Sequence, residues 1–213
     1  MLKDIKRYVV LEPHVDDFEL GCLPLILKNS KPFIDVHTPV AEVHILSFCL
    51  GRNEENWKLR ANARTKTIEI LQARGILVEW RNIPTKKYDT ELNDSLINDH
   101  CEYINFYIRQ NLVKKGFIFL IPQIDLHPDH NHVNLVGKII SRKFINKPVL
   151  EYIIWNSKDN PNIIQTNWNI DIGETKIEDG IILDKISEIF EGEFYKLKNC
   201  TFNQNYNLIK YNI

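Results

Sequence analysis

The chain has no CxxC pair, no apolar run long enough to cross a membrane, and no excess of either charge. Its four cysteines, Cys22, Cys49, Cys101 and Cys200, are widely spaced. That argues against a zinc knuckle or a disulfide framework and for reduced thiols in a cytoplasmic protein. No stretch approaches the roughly 20 apolar residues a spanning helix needs. The charged start, Met1 to Arg7, runs straight into an apolar strand pattern, which is not the layout of a secretory signal. With 27 basic against 28 acidic residues, the chain lacks the surplus a broad nucleic-acid footprint requires, although a small local cluster could still meet a phosphate. There is no internal repeat, low-complexity tract or clear linker. The expectation is one soluble, cytoplasmic domain over residues 1–213, without nucleic acid or a membrane span, its oligomeric state left open.

What is present alternates. Short β-rich runs near 7–12, 42–49, 76–83, 117–122 and 149–155 are separated by helical patterns, as in βαβ units with a mostly parallel sheet. Asn53 is placed to cap a helix running to about Arg74, with Trp57, Ala61, Ile68 and Leu71 inward and Gly75 as its left-handed stop. Further helices are expected near 96–113 and 131–144, and one after Asp17 with Pro24 in its first turn. Residues 157–180 read as a long loop or short hairpin, and 181–198 as a closing helix weakened by Gly192.

Two segments carry metal-ligand chemistry. Pro13-His14-Val15-Asp16-Asp17 follows the apolar run Tyr8 to Leu11, and His127-Pro128-Asp129-His130 follows Phe117 to Ile121. In a parallel sheet both would leave the carboxyl ends of strands, where open α/β sheets place their ligands. One imidazole and one carboxylate from the first segment, with an imidazole from the second, make a three-ligand catalytic zinc site that leaves a position for water. Two adjacent carboxylates at a strand end repel each other unless a cation neutralises them.

Pro13-His14-Val15-Asp16-Asp17-Phe18-Glu19-Leu20-Gly21-Cys22 resembles the first signature of the PIG-L/LmbE family of zinc-dependent N-deacetylases, and Asp125 to His130 resembles its second. The resemblance covers roughly residues 7–155. It implies a Rossmann-like three-layer α/β sandwich and a Zn²⁺ cofactor. It also implies that His14, Asp17 and His130 are the metal ligands and Asp16 the general base. His127 becomes an electrostatic or acid group beside the reacting carbonyl, oriented by Asp129. The chain departs from the family pattern in three places. Val15 stands where proline is usual, and Leu23-Pro24 replaces a glycine pair. The Arg-x-x-Glu of the second helix is out of register, with Arg60 and Arg64 flanking its place and Lys66 at the expected Glu.

Around this core the readings are plainer. Arg52, Lys86 and Lys87 are candidates for substrate binding through a phosphate, against a solvated-loop alternative. His132 reads as a solvated residue at a helix start, with a group supporting the metal ligands as the alternative, and His37, His44 and His100 show no partner pattern. Trp57, Trp80, Trp155 and Trp168 read as core or rim packing, with Trp155 also able to flank a sugar ring, and Cys22 as a packed small hydrophobe. The expected activity is hydrolytic removal of an N-acetyl or other acyl group from an amino sugar, whether free, nucleotide-linked or part of a glycoconjugate. The alternatives are an amidase for another N-acyl metabolite or thiol conjugate, and an inactive sugar-binding module.

Overall fold

The computed structural model describes residues 6–30, 39–112, 116–154, 177–190 and 207–209. Strands β1 (Arg7–Glu12), β2 (Ala41–Cys49), β3 (Ile76–Lys87), β4 (Ile118–Pro122) and β5 (Val149–Tyr152) pair in parallel. A short β6 (Asn207–Ile209) closes the edge antiparallel to β5. The strand order is β3-β2-β1-β4-β5-β6, so the chain winds outward in both directions from β1 and β4. This is the Rossmann-like order, and its crevice opens where the winding reverses, past the carboxyl ends of β1 and β4. Both metal-ligand segments leave the sheet there.

Alternation along the strands sends side chains to two layers. Tyr8, Val10, Val43, Ile45, Ile118 and Leu120 pack against helices α1 (Asp17–Gly21), α2 (Leu23–Asn29), α3 (Glu54–Ala73) and α6 (Ile177–Ile189). On the other face, Val9, Leu11, Leu46, Phe48, Phe119 and Ile121 meet α4 (Ile97–Asn111) and α5 (Pro128–Ser141). The central strands are buried on both sides, which explains their continuous apolar runs.

Several elements differ from the pattern-based expectation. The helix after Asp17 is two short helices broken at Cys22. Pro24 has no N–H with which to continue the first helix, and it sits instead in the opening turn of α2. Helix α5 begins at Pro128, three residues before its expected start, because proline is pre-set for the first helical position and His127 caps the end. Helix α6 starts at Ile177, inside the expected loop, and β6 was not anticipated. Helix α3 runs as expected from the Asn53 cap, whose side chain accepts from the Asn56 N–H, to Gly75 at φ +77°. Its inward face is different: Arg60, Ala63, Arg64, Thr67 and Leu71 are buried, while Trp57, Ala61 and Ile68 are only half-buried. Arg64 is drawn inward by Glu12 at the end of β1 and Glu19 in α1, and Arg60 by Asp16 in the turn between them. The bulk of 157–176, the continuation beyond Phe190, and Trp155, Trp168, His37 and Cys200 lie outside the described residues.

The junction of α1 with β5 leaves no room for a side chain at Gly21. A Cβ there would stand 2.2 Å from a ring carbon of Tyr152, which is itself pinned by an O–H bond to the Leu11 carbonyl at 2.8 Å. Helix propensity favours alanine over glycine by about 1 kcal/mol, but overpacking a rigid core costs about 1–3 kcal/mol. Gly21→Ala is therefore expected to lower the denaturant midpoint. A raised midpoint would show that the ring can move aside.

Candidate active site

A tight turn after β1, in which the Asp16 and Asp17 N–H groups both donate to the His14 carbonyl, brings His14 and Asp17 together. Asp17 Oδ2 accepts from the His14 backbone N–H at 2.9 Å and lies 3.3 Å from His14 Nδ1. From the first turn of α5, His130 Nε2 approaches to 3.4 Å from His14 Nδ1 and 3.7 Å from Asp17 Oδ2. Four ligands placed tetrahedrally at about 2.0–2.1 Å from a zinc ion stand about 3.3–3.4 Å from one another. The triangle of His14 Nδ1, Asp17 Oδ2 and His130 Nε2 has that size.

Proton placement agrees with this triangle. A carboxylate can only accept, so the ring nitrogen facing it carries the hydrogen. His14 Nε2 faces Asp129 Oδ2 at 3.1 Å, and His130 Nδ1 faces Asp125 Oδ2 at 2.5 Å. With each ring neutral and its one hydrogen on that nitrogen, the remaining lone pairs, on His14 Nδ1 and His130 Nε2, turn toward Asp17. Each imidazole is thus backed by a carboxylate, the usual arrangement behind a metal-ligating histidine.

A second grouping by proximity joins His14, His127 and His130, with donor atoms within 4.8 Å of one another. The hydrogen bonds set His127 apart. Its Nδ1 accepts the Asp129 backbone N–H at 3.2 Å as the α5 cap, so the neutral ring carries its hydrogen on Nε2. That nitrogen is a donor and has no lone pair to offer. His127 is also the more open ring, its side chain 32% exposed against 7% for His14 and 1% for His130. Asp129, expected beside the His127 ring, bonds the His14 ring instead and stands 3.8 Å from His127 Nδ1. Its Oδ2 also accepts the Thr90 N–H at 2.7 Å, and Thr90 holds an unusual φ of +69° to deliver it. Asp125 is the residue sequence reading passed over. Its carboxylate accepts both from the His130 ring and from the His127 backbone N–H.

Electrostatics favours positive charge at the centre of the site. Burial opposes a charge on His14, yet hydrogen bonds to Asp129 and Asp17 and the charges of Asp17 and Asp89 hold its imidazole well above its ordinary range. Burial likewise opposes ionisation of Asp17, but His130 and His14 overcome it and keep the carboxyl low. The surrounding carboxylates thus favour positive charge at His14, a charge that a bound cation would also supply. Next door, burial and the charge of Asp17 lift Asp16 to about 8, against the pull of Arg60, whose Nη1 is 3.4 Å from Asp16 Oδ1. Burial, with His14 and His130 adding to it, pushes His127 down.

The other candidates fall in three places. Arg52 and Lys86 are exposed and Lys87 is half-buried. Their loops are joined at the same sheet edge as the site by Leu50 N–H to the Lys87 carbonyl and Asp89 N–H to the Gly51 carbonyl. His132 is buried rather than solvated: its Nε2 meets His100 Nδ1 at 2.9 Å, beside Phe48. His44, also buried, bonds Glu42 and Tyr107. The His100–His132 and His44–Tyr107 pairings join residues far apart in sequence and leave no local signal. The Trp57 and Trp80 rings meet at a 45° tilt with centroids 5.5 Å apart on the α3–β3 side, and Cys22 is buried in the core.

No protein-family model matches the chain, and no curated protein does. Solved structures do match, at the level of fold. The zinc-inhibited form of teicoplanin deacetylase Orf2 aligns with a TM-score of 0.59 at 12% identity, over 86% of this chain and 83% of that one. N,N'-diacetylchitobiose deacetylase from Pyrococcus horikoshii aligns at 0.60 and 16%, over 98% and 85%. GalB, a 4-carboxy-2-hydroxymuconate hydratase from Pseudomonas putida KT2440, aligns at 0.63 and 12%, over 98% of both chains. The fold is shared with LmbE-like deacetylases. The hydratase shows that it also carries other chemistry, so function has to be argued from the site.

Proposed function

We propose that this chain, acting as one domain, is a Zn²⁺-dependent hydrolase that removes an N-acetyl group from an amino sugar. The observation that carries the reading is the triangle of lone pairs on His14 Nδ1, Asp17 Oδ2 and His130 Nε2, with sides of 3.3, 3.4 and 3.7 Å. These three residues would hold the ion, and an anionic, nitrogen-and-oxygen donor set suits zinc. When bound, zinc supplies a Lewis acid that polarises an amide carbonyl and makes water a usable nucleophile near neutral pH.

The chain's own residues supply the rest. Asp16 is adjacent to the triangle without being part of it, and its carboxylate takes a proton from the attacking water. Arg60 steadies that carboxylate in its ionised form. The Nε2–H of His127 is free of the α5 cap bond and donates to the oxygen that gains charge as the carbonyl carbon becomes tetrahedral. Asp129 and Asp125 fix the tautomers of His14 and His130. A binding module has no use for a buried carboxylate beside the ligands.

The sugar is proposed from the diacetylchitobiose deacetylase that shares the fold. Arg52, Lys86 and Lys87 would meet a phosphate in a nucleotide-linked substrate. The test is a panel of N-acetyl amino sugars, their nucleotide-linked forms, other N-acyl metabolites and an unsaturated carboxylic acid, offered to the zinc-loaded chain. Acetate and free amine are expected from the sugars. Water addition to the unsaturated acid, with no amide cleaved, would replace deacetylation by a hydratase reading.

A further inference from the structure

The imidazole of His14 has a second edge, and a different set of donors faces it. A ring nitrogen of His14, Cys49 Sγ and a carboxylate oxygen of Asp89 lie within 4.8 Å of one another. Asp89 Oδ1 is 3.7 Å from His14 Nε2 and Asp129 Oδ2 is 3.1 Å from it. Cys49 and Asp129 are fully buried. Asp89 Oδ1 and Asp129 Oδ1 are both shielded from solvent with no N–H or O–H donor among the described residues. A thiol, an imidazole edge and two carboxylates, each with one oxygen that meets no N–H or O–H donor, converge from four chain segments: the end of β2, the turn after β1, the loop after β3, and α5.

We propose that Cys49, Asp89, Asp129 and the Nε2 edge of His14 form a second, inhibitory site for a thiophilic divalent cation such as Cd²⁺. It rests on the proposed hydrolase only in that His14 is shared. Nitrogen, sulfur and oxygen together form a ligand set that soft or borderline ions accept, and the observed separations are those of ligands around one ion. Cys49 has no other evident chemistry. Its thiol is fully buried and faces the Asp129 and Asp89 carboxylates, the setting in which a thiolate ligand needs a cation beside it.

The protons balance. With the first site filled, His14 carries one ring proton, on Nε2 and bonded to Asp129. The cation replaces that proton and the thiol proton, both of which leave to solvent as the nitrogen and sulfur lone pairs form bonds to the metal. The hydrogen bond that orients His14 for the first ion is lost, which is why occupancy inhibits.

The experiment is a Cd²⁺ titration of the metal-free full chain, read by equilibrium dialysis and by the ultraviolet thiolate-to-cadmium charge-transfer band. Wild type should take two ions per chain and develop the band. Cys49→Ser should take one ion without the band, and Asp89→Asn should need about tenfold more Cd²⁺ or greater to reach half-band. Asp17→Ala should lose the other ion and keep the band. A wild type without the band, or Cys49→Ser with it intact, overturns the proposal. If Cys49→Ser does not fold, an unchanged half-band concentration in Asp89→Asn overturns it. An intact band in the absence of any Asp17-dependent ion would sink the hydrolase ligand set and leave this site standing.

Discussion

Asp16→Asn should cut turnover by about 10² to 10⁴, the usual contribution of a positioned general base, while the chain still binds one Zn²⁺. Asp17→Ala should lose zinc and turnover together. The two carboxylates are neighbours, but they sit in different surroundings. Asp17 Oδ2 closes the triangle with His14 and His130, whereas the contact of Asp16 is with Arg60 at 3.4 Å. An amide at position 16 keeps the size of the turn and cannot take a proton. His127→Ala should also retain the metal, because the ring nitrogen facing the site is an N–H donor, and it should lose rate through the oxyanion. The pH dependence follows from the same electrostatics. Burial and Asp17 lift Asp16 to about 8, and a divalent cation at Asp17 would pull it back down. The acid limb of kcat/KM is therefore expected below pH 8 and should vanish in Asp16→Asn. Metal content by elemental analysis, paired with turnover for each variant, is the check. Near-normal turnover in Asp16→Asn would move the proton to another group. Zinc loss in His127→Ala with zinc retained in Asp17→Ala would exchange their roles.

How far the molecule was readable before folding depends on where each signal lies. The two metal-ligand segments were legible because each follows an apolar strand, and a strand end is a local feature. Their meeting was legible only through the rule for open α/β sheets, since no periodicity states that β1 and β4 are neighbours. Asp125 escaped notice because its role is geometric: it lies five residues before His130 and touches its ring only once α5 starts at Pro128. Reading Pro128 as part of a loop delayed that helix by one turn. The inner face of α3 was misread for a more general reason. Apolar periodicity assumes that the buried face is the greasy one, and here the largest fully buried side chain of the helix is an arginine. What draws it inward lies elsewhere in the sequence, at Glu12 and Glu19. The pairing of His100 with His132 is hidden in the same way, because the partners lie in different helices, α4 and α5.

That arginine carries the other large effect. Arg64 is fully buried, and its guanidinium forks onto two carboxylates: Nη1 and Nη2 to Glu12 at 2.8 Å each, Nε and Nη2 to Glu19 at 2.7 Å each. Glu12 also accepts from the Ser47 hydroxyl and the Phe18 N–H, and Ser47 accepts from the Trp80 indole at 2.7 Å. The Phe18 and Trp80 rings lie 5.3 and 5.5 Å from the guanidinium carbon. Removing one partner from a buried ion pair costs about 3–5 kcal/mol, because the charge left behind has neither water nor a counter-ion. Arg64→Met strands two such carboxylates, so it should consume much of the about 5–15 kcal/mol that holds a domain folded. Arg64→Lys should be only a partial substitute, since an ammonium is a single point and cannot fork onto both groups. Combining Arg64→Met with Glu12→Gln and Glu19→Gln should recover part of the loss, as the uncompensated charges are then gone. The cluster also bears on the metal. Glu12 ends β1 one residue before Pro13-His14, and Glu19 lies in α1 with Asp17, so Arg64 clamps both sides of the turn that sets the His14–Asp17 distance. Zinc affinity should fall in Arg64→Lys even at temperatures where the variant remains folded. Denaturant midpoints and zinc titrations of the three variants test this together. A change within about 0.5 kcal/mol for Arg64→Met, the range of an ordinary surface substitution, would mean that the buried triad does not hold the site in place.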